Sequence, residues 1–170
     1  TLDTIKAIMS SEITVPFTYT IYNDNSTAEN TEILRKASEE YGFTLVNIAE
    51  LTDHPSPNYL MVLQRTRKEA LQRDAGLLIV ESDVTVRKDT IQRLFEEAEK
   101  CQQCGIAASV TVDENGAINY PYGFAKDRLP GVYDEKKHCS FCCSLLTPAL
   151  LRAFDFDTLN PTKNWYDVTT

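Results

Sequence analysis

Leu77-Leu78-Ile79-Val80 runs straight into Glu81-Ser82-Asp83, so two carboxylates stand two positions apart at the end of an apolar stretch. Strand alternation sends side chains i and i+2 to one face, and the spacing predicts that Glu81 and Asp83 aim the same way. Like charges held together need water, a proton or a cation between them. Hard carboxylate oxygens suit Mg²⁺ or Mn²⁺. A second polar cluster, Tyr22-Asn23-Asp24-Asn25-Ser26-Thr27, follows another strand-like run from Phe17 to Ile21. Sheets of α/β proteins place ligands just past the carboxyl ends of their strands. If these two strands are parallel neighbours, their polar tips share one sheet edge. A metal held by Asp83, helped by Glu81, would there neutralise a leaving diphosphate.

The elements that must position these groups alternate along the chain. Leu2, Ile5, Ile8 and Met9 recur at helical spacing, which predicts a short helix over residues 2 to 10. Thr27 or Asn30 can cap the helix that follows the first polar cluster, and Gly42 stops it. "FTLVNIA" reads as a strand, and residues 59 to 74 as a helix carrying Leu60, Leu63, Arg67, Ala70 and Leu71 on neighbouring turns. After the Leu77–Val80 strand, "DTIQRLFEEAEKC" is amphipathic, with Ile91, Leu94, Phe95 and Ala98 on one stripe. "IAASVTV" and "AINY" flank a "DENG" hairpin turn, "CSFCCSLL" is strand-like, and Thr147-Pro148 starts a last helix. Alternation of this kind predicts a parallel or mixed sheet with helices on both faces.

Composition narrows the function classes. The chain has 170 residues, enough for one domain with a substantial core, and 42% of them are hydrophobic. A net charge of −8 argues against a general nucleic-acid surface but leaves room for a phosphorylated ligand beside a local cation. No apolar run reaches the length of a transmembrane segment, and the first residues lack a secretory pattern, so the expected location is cytoplasmic, as a free chain or as a cytoplasmic-facing domain of something larger. Five cysteines make a complete disulfide framework impossible and suit reduced thiols. The spacings Cys101-x-x-Cys104 and Cys139-x-x-Cys142, with His138 and Cys143 adjacent, are compatible with zinc. Their place at a helix end and in an apolar strand favours buried thiols instead.

With the polar tips in place, the chain resembles the family 2 glycosyltransferases of the GT-A fold. "TIYNDNSTAENTEIL" is similar to their "VDDGSTDGT" segment, and "LLIVESDV" to the strand ending in their Asp-x-Asp motif, at a matching separation. "LQRTRKEALQ" resembles the "ARNxGL" helix, "FCCSLLTPALLRAFDFD" the later strand and helix, and "NWYDVT" the "WxEDxDL" segment with the catalytic base. The five matches keep the family's order over roughly residues 17 to 169.

The resemblance implies a three-layer α/β/α sandwich with a mostly parallel sheet, as a single GT-A-like domain over residues 1–170. No segment matches the family's first strand, and the chain is shorter than the family pattern at both ends. It also implies roles. Asn23 and Asp24 stand where paired acids hold the nucleotide base and ribose, Arg65 near a basic residue that contacts the nucleotide, and Glu81 and Asp83 at the metal and diphosphate positions. Asp167 stands where the family's base deprotonates the acceptor hydroxyl, with Trp165 and Tyr166 placed to stack on a sugar or to pack. The implied activity is inverting, Mn²⁺- or Mg²⁺-assisted transfer of a sugar from a UDP- or GDP-linked donor to a saccharide or other hydroxyl acceptor. This sequence departs from the pattern at Asn23, which replaces an acid, at Glu81, which replaces Asp, and at Thr66, where Asn is common. Those departures keep an alternative in view, a non-catalytic glycosyltransferase-like module for nucleotide-sugar binding or assembly. A nucleotidyltransferase-like enzyme would carry a Gly-rich, basic signature near its start, and none is present.

Overall fold

The computed structural model describes residues 1–136 and 139–159. Asp167, Trp165, Tyr166 and His138 lie outside the described residues. The elements in chain order are α1 (Leu2–Met9), β1 (Thr20–Asn23), α2 (Ala28–Tyr41), β2 (Thr44–Asn47), α3 (Tyr59–Gln72), β3 (Leu77–Val80), α4 (Thr90–Lys100), β4 (Ile106–Ala108), β5 (Cys143–Leu146) and α5 (Pro148–Ala153). Their local causes are those the sequence carries. The Thr27 hydroxyl accepts from Asn30 N–H at 3.3 Å to start α2, and Gly42 closes it at φ +76°, a conformation that costs glycine no Cβ clash. Thr147 caps α5 by accepting from Leu150 N–H, with Pro148 at the first helical position. Gly116 at φ +81° turns the "DENG" hairpin, and Val112 bridges Ile118 across it.

The α/β character is as expected, but the strands divide into two small sheets. β1 and β2 pair in parallel with Thr20 opposite Thr44, and β3, β5 and β4 form an antiparallel sheet with β5 in the middle. Among the described residues, the expected mostly parallel sheet is thus parallel only at β1–β2. Strands of three or four residues buried on both faces read alike whichever way a neighbour runs, so their sequence carries no direction.

Strand alternation is clean within the sheets. Leu77 and Ile79 of β3 pack with Leu63 and Ala70 of α3, Leu146 of β5 and Leu151 of α5. Leu78 and Val80 pack on the other face with Ile8 of α1, Ile91 and Leu94 of α4, and Cys143. Tyr19 and Ile21 join Ile5 of α1 with Leu34 and Ala37 of α2. Helix α1 therefore spans the two sheets, placing Ile5 against one and Ile8 against the other. Burying a leucine such as Leu146, which has no exposed surface, contributes about 1.5–3 kcal/mol. Arg67 lies on the apolar stripe of α3 because its guanidinium is used: Nε donates to Leu151 O at 2.9 Å and Nη1 pairs with Asp155 at 3.0 Å, tying α3 to the end of α5. Among the described residues, no helix is long and apolar enough to cross a membrane.

Candidate functional site

At the tip of β3 the chain must leave the sheet to reach α4. Glu81 N–H makes the last rung, donating to Cys142 O at 2.9 Å, and Val84 N–H then donates to Glu81 O at 3.1 Å. A turn over Glu81–Val84 therefore replaces the strand alternation expected for Glu81 and Asp83. Ser and Asp favour turns through their own backbone-bonding side chains, which is why Ser82-Asp83 ends the strand. The Thr4 hydroxyl of α1 donates to Ser82 O at 2.9 Å and pins this turn. Both carboxylates are exposed.

Cys142 joins the two acids. Its thiol donates to Glu81 Oε2 at 3.3 Å and accepts from the Ser140 hydroxyl at 3.0 Å. Burial pushes the Cys142 thiol up; the Ser140 hydroxyl opposes this, and the negative charges of Glu81 and then Asp83 push it further up. Ser140 is in turn held by buried Tyr122, whose hydroxyl accepts from Ser140 N–H at 3.0 Å. Among the described residues, no three His, Cys, Asp or Glu side chains group as a metal site. Two exposed carboxylates fit Mg²⁺ or Mn²⁺, which use one or two protein carboxylates and complete their shell with phosphate oxygens and water. The protonated, soft Cys142 sulfur does not suit such a hard ion. The cysteines range from exposed Cys101 to buried Cys143.

The tip of β1 is organised separately. Asn23 is 6% exposed, and its Nδ2 donates at 3.0 Å to both Thr31 Oγ1 and Asn47 Oδ1. Its Oδ1 is buried without a partner among the described residues. Asp24 is taken up by the loop before α3. Its Oδ2 accepts from Ser56 Oγ and from Asn58 N–H, and its Oδ1 from Asn58 Nδ2, each at 2.8 Å. Partial burial pushes the Asp24 carboxyl up, but these hydrogen bonds outweigh it and hold the group below the usual carboxylate range. Arg65 pairs with Glu69 at 3.0 Å on α3 and lies beside the Tyr22 phenol. Burial first, and then Glu69, push that phenol up, while Arg65 opposes them.

The two tips are not on neighbouring strands, contrary to the expectation of a shared sheet edge. β1 pairs with β2 and β3 with β5. A cleft of about 1420 Å³ lies between them, lined by Thr20 and Tyr22 on one side and by Leu78, Val80, Glu81 and Asp83 on the other. Asn23, Asp24 and Arg65 are not part of its lining. The fold brings Glu81 and Asp83 together with Cys142, and Arg65 with Tyr22, while Asn23 and Asp24 keep to their own networks.

Two residues of this neighbourhood escaped the sequence reading, Ser56 and Asn58, and a third, Cys142, was read there only within a zinc-compatible spacing or as a buried thiol. Asn58 precedes a helix and has the residue type of an N-cap, but its amide bonds Asp24 instead of the helix. Neither that spacing nor its apolar setting pointed to Glu81, because this partner of Cys142 is 61 positions away. Compared with protein-family models, curated proteins and solved structures, the chain finds no match.

Proposed function

We propose that this chain is a GT-A-type domain that binds a nucleotide-sugar donor with a divalent cation and transfers the sugar, with inversion, to a hydroxyl acceptor. The observation that carries the reading is the exposed pair Glu81 and Asp83, held in a pinned turn at the carboxyl end of β3 and facing the cleft. Its support from sequence is the ordered set of five glycosyltransferase-like segments in which that pair occupies the metal position. Asp83, with Glu81, would hold Mn²⁺ or Mg²⁺, which when bound supplies charge neutralisation to a diphosphate leaving group. Asp167 would take the proton of the acceptor hydroxyl as it attacks the anomeric carbon from the face opposite the leaving group. Tyr22, beside Arg65, lines the cleft and would offer its hydroxyl to the nucleotide, and Arg65, the position the resemblance gives to a nucleotide contact, would have to leave Glu69 to reach it.

The test is the melting temperature of the chain with UDP or GDP and Mn²⁺. A bound nucleotide at a hundredfold excess over its Kd adds about 2.7 kcal/mol of stability. Asp83→Ala should abolish that gain. Absence of nucleotide-dependent stabilisation with any divalent cation sinks the reading, and sugar transfer that persists unchanged in Asp167→Asn removes Asp167 as the base.

A second reading is a module that binds nucleotide sugar or serves assembly without transfer. The observation favouring it is that the Asn23 amide NH₂ and the Asp24 carboxylate, at the family's base and ribose positions, are engaged by Thr31, Asn47, Ser56 and Asn58. Nucleotide binding with neither donor hydrolysis nor transfer would select it.

A further inference from the structure

The link from α4 to β4 is Cys101-Gln102-Gln103-Cys104-Gly105. Helix α4 stops at Lys100 because Cys101 turns extended, at φ −107° and ψ 104°. Cys104 N–H then donates to Cys101 O at 3.0 Å, closing a β-turn with exposed Gln102 and Gln103 at its tip. The far end of the turn is anchored at the cap of α5. Thr147 Oγ1 donates to Cys104 O at 2.8 Å, and Thr147 N–H donates to Gly105 O at 2.9 Å. Helix α4 on one side and the α5 cap on the other thus hold the turn in one shape.

A turn of this kind keeps its first and fourth Cα atoms within about 7 Å of each other. A disulfide spans Cα separations of roughly 4.4–6.8 Å. The backbone of Cys101 and Cys104 therefore has the spacing of a bridged pair before any bridge forms. The two thiols also act on each other. Burial pushes the Cys104 thiol up, and negative charge on Cys101 pushes it further up. Cys101 is exposed to a small reagent, while Cys104 is partly buried.

The other three cysteines are set differently. Cys143 is 1% exposed. Cys142 is engaged by Ser140 and Glu81, and Cys139 Sγ lies 3.9 Å from both Ser140 O and Ser144 Oγ. Cys104 is held by Thr147 past one end of β5, whereas Cys142 precedes the other end. Those ends are roughly 17 Å of strand apart, and among the described residues the two Cys-x-x-Cys spacings do not gather round one metal ion.

We propose that Cys101 and Cys104 form a thiol–disulfide exchange site whose co-substrate is a small disulfide of the glutathione class, Cys101 attacking and Cys104 resolving. The Cys101 thiolate attacks one sulfur of the small disulfide, whose S–S bond breaks and releases one thiolate. The Cys104 thiolate then attacks the Cys101 sulfur, forming the Cys101–Cys104 bond and releasing the second thiolate. Two electrons pass from the pair to the small disulfide, and the two protons end on the released thiols. The place of the pair sets the direction of the equilibrium. A thiolate at a helix N-terminus is stabilised, which makes the corresponding disulfide a strong oxidant. Cys101 follows the C-terminus of α4, where the helix gives a thiolate no such support, so the closed pair is the favoured state under oxidising conditions. Reduced thiols open it again, as in the transient disulfides of reducing compartments.

The experiment incubates the native chain with oxidised glutathione, blocks the remaining thiols and maps tryptic peptides by mass. Trypsin cuts after Lys100 and Lys126, so this pair falls in one peptide, and after Lys137 and Arg152, so the other three cysteines fall in another. The 101–126 peptide should lose two hydrogens and retain no glutathione, ahead of any change in the 138–152 peptide, and dithiothreitol should reverse the loss. Cys104→Ser should stop at a stable glutathione adduct on Cys101, and Cys101→Ser should react at position 104 at least about tenfold more slowly. Glutathione retained on Cys101 of the wild type would show that Cys104 does not resolve it and would overturn the proposal. Oxidation that begins in the 138–152 peptide, or no oxidation of the 101–126 peptide, would overturn it as well. The wild-type maps decide these points without any variant having to fold.

Discussion

Asp24→Asn separates the loop-holding role of Asp24 from any role in nucleotide binding. The wild-type carboxylate accepts three hydrogen bonds at 2.8 Å, from Ser56 Oγ, Asn58 N–H and Asn58 Nδ2. An amide at position 24 keeps one oxygen and places an NH₂ against a donor. If it keeps Ser56 and the Asn58 N–H, the Asn58 amide must flip, which costs its second bond to His54 O at 3.2 Å. Charge-assisted hydrogen bonds exceed neutral ones by roughly 0.5–1.5 kcal/mol each. Discounted for partial exposure, the three together give a loss of about 1–2 kcal/mol at neutral pH. For a chain of this size that is about 3–6 °C in melting temperature. The sign with pH follows from the depressed carboxyl. Its stabilisation is complete above the unfolded-state value of about 3.9 and lost as pH falls through the lower folded value. Urea titrations of wild type and Asp24→Asn, without nucleotide, should therefore differ at pH 7 and converge in strong acid, where Asp24 is protonated. A difference below about 0.3 kcal/mol at pH 7, or one that does not shrink in acid, would refute the charge-assisted account.

The thiols give a second check: exposed Cys101 should alkylate with iodoacetamide well before Cys142, whose thiol is pushed up by burial and by Glu81. Glu81→Gln should speed Cys142 alkylation severalfold, and unchanged or slower labelling by mass spectrometry would show that Glu81 does not act on it. Leu146→Ala, at the centre of the cluster beneath α3 and α5, should lower unfolding stability by about 2–5 kcal/mol. A urea-derived loss under about 1 kcal/mol would mean that the cluster closes over the gap.

Much of the local structure was legible in the residues. Helical periodicity and Thr27, Gly42 and Thr147-Pro148 set the helices close to their observed bounds, because caps and turns act over a few positions. Alternation in Leu77–Val80 also held as far as the strand runs, with Leu77 and Ile79 on one face and Leu78 and Val80 on the other. It failed two residues later, where Ser82-Asp83 chose a turn over the strand and so decided how Glu81 and Asp83 are presented. Arg67 was readable as a member of the apolar stripe, but not its guanidinium cap on α5, whose partners are more than eighty positions away.

The sequence by itself determined the alternation of helices and strands, the acidic pair at a strand end and the polar cluster after Tyr22. These rest on interactions within a few residues, which composition and spacing encode directly. Only the tertiary structure decided which strands pair, that β1 and β3 stand apart across a cleft, that Asp24 is spent on Ser56 and Asn58, and that Cys142 meets Glu81. The Asp24–Ser56 and Glu81–Cys142 contacts alone close loops of 32 and 61 residues. Short strands buried on both faces offer many pairings of similar local energy, and the choice among them belongs to the packing of α1, α3 and α4 around them.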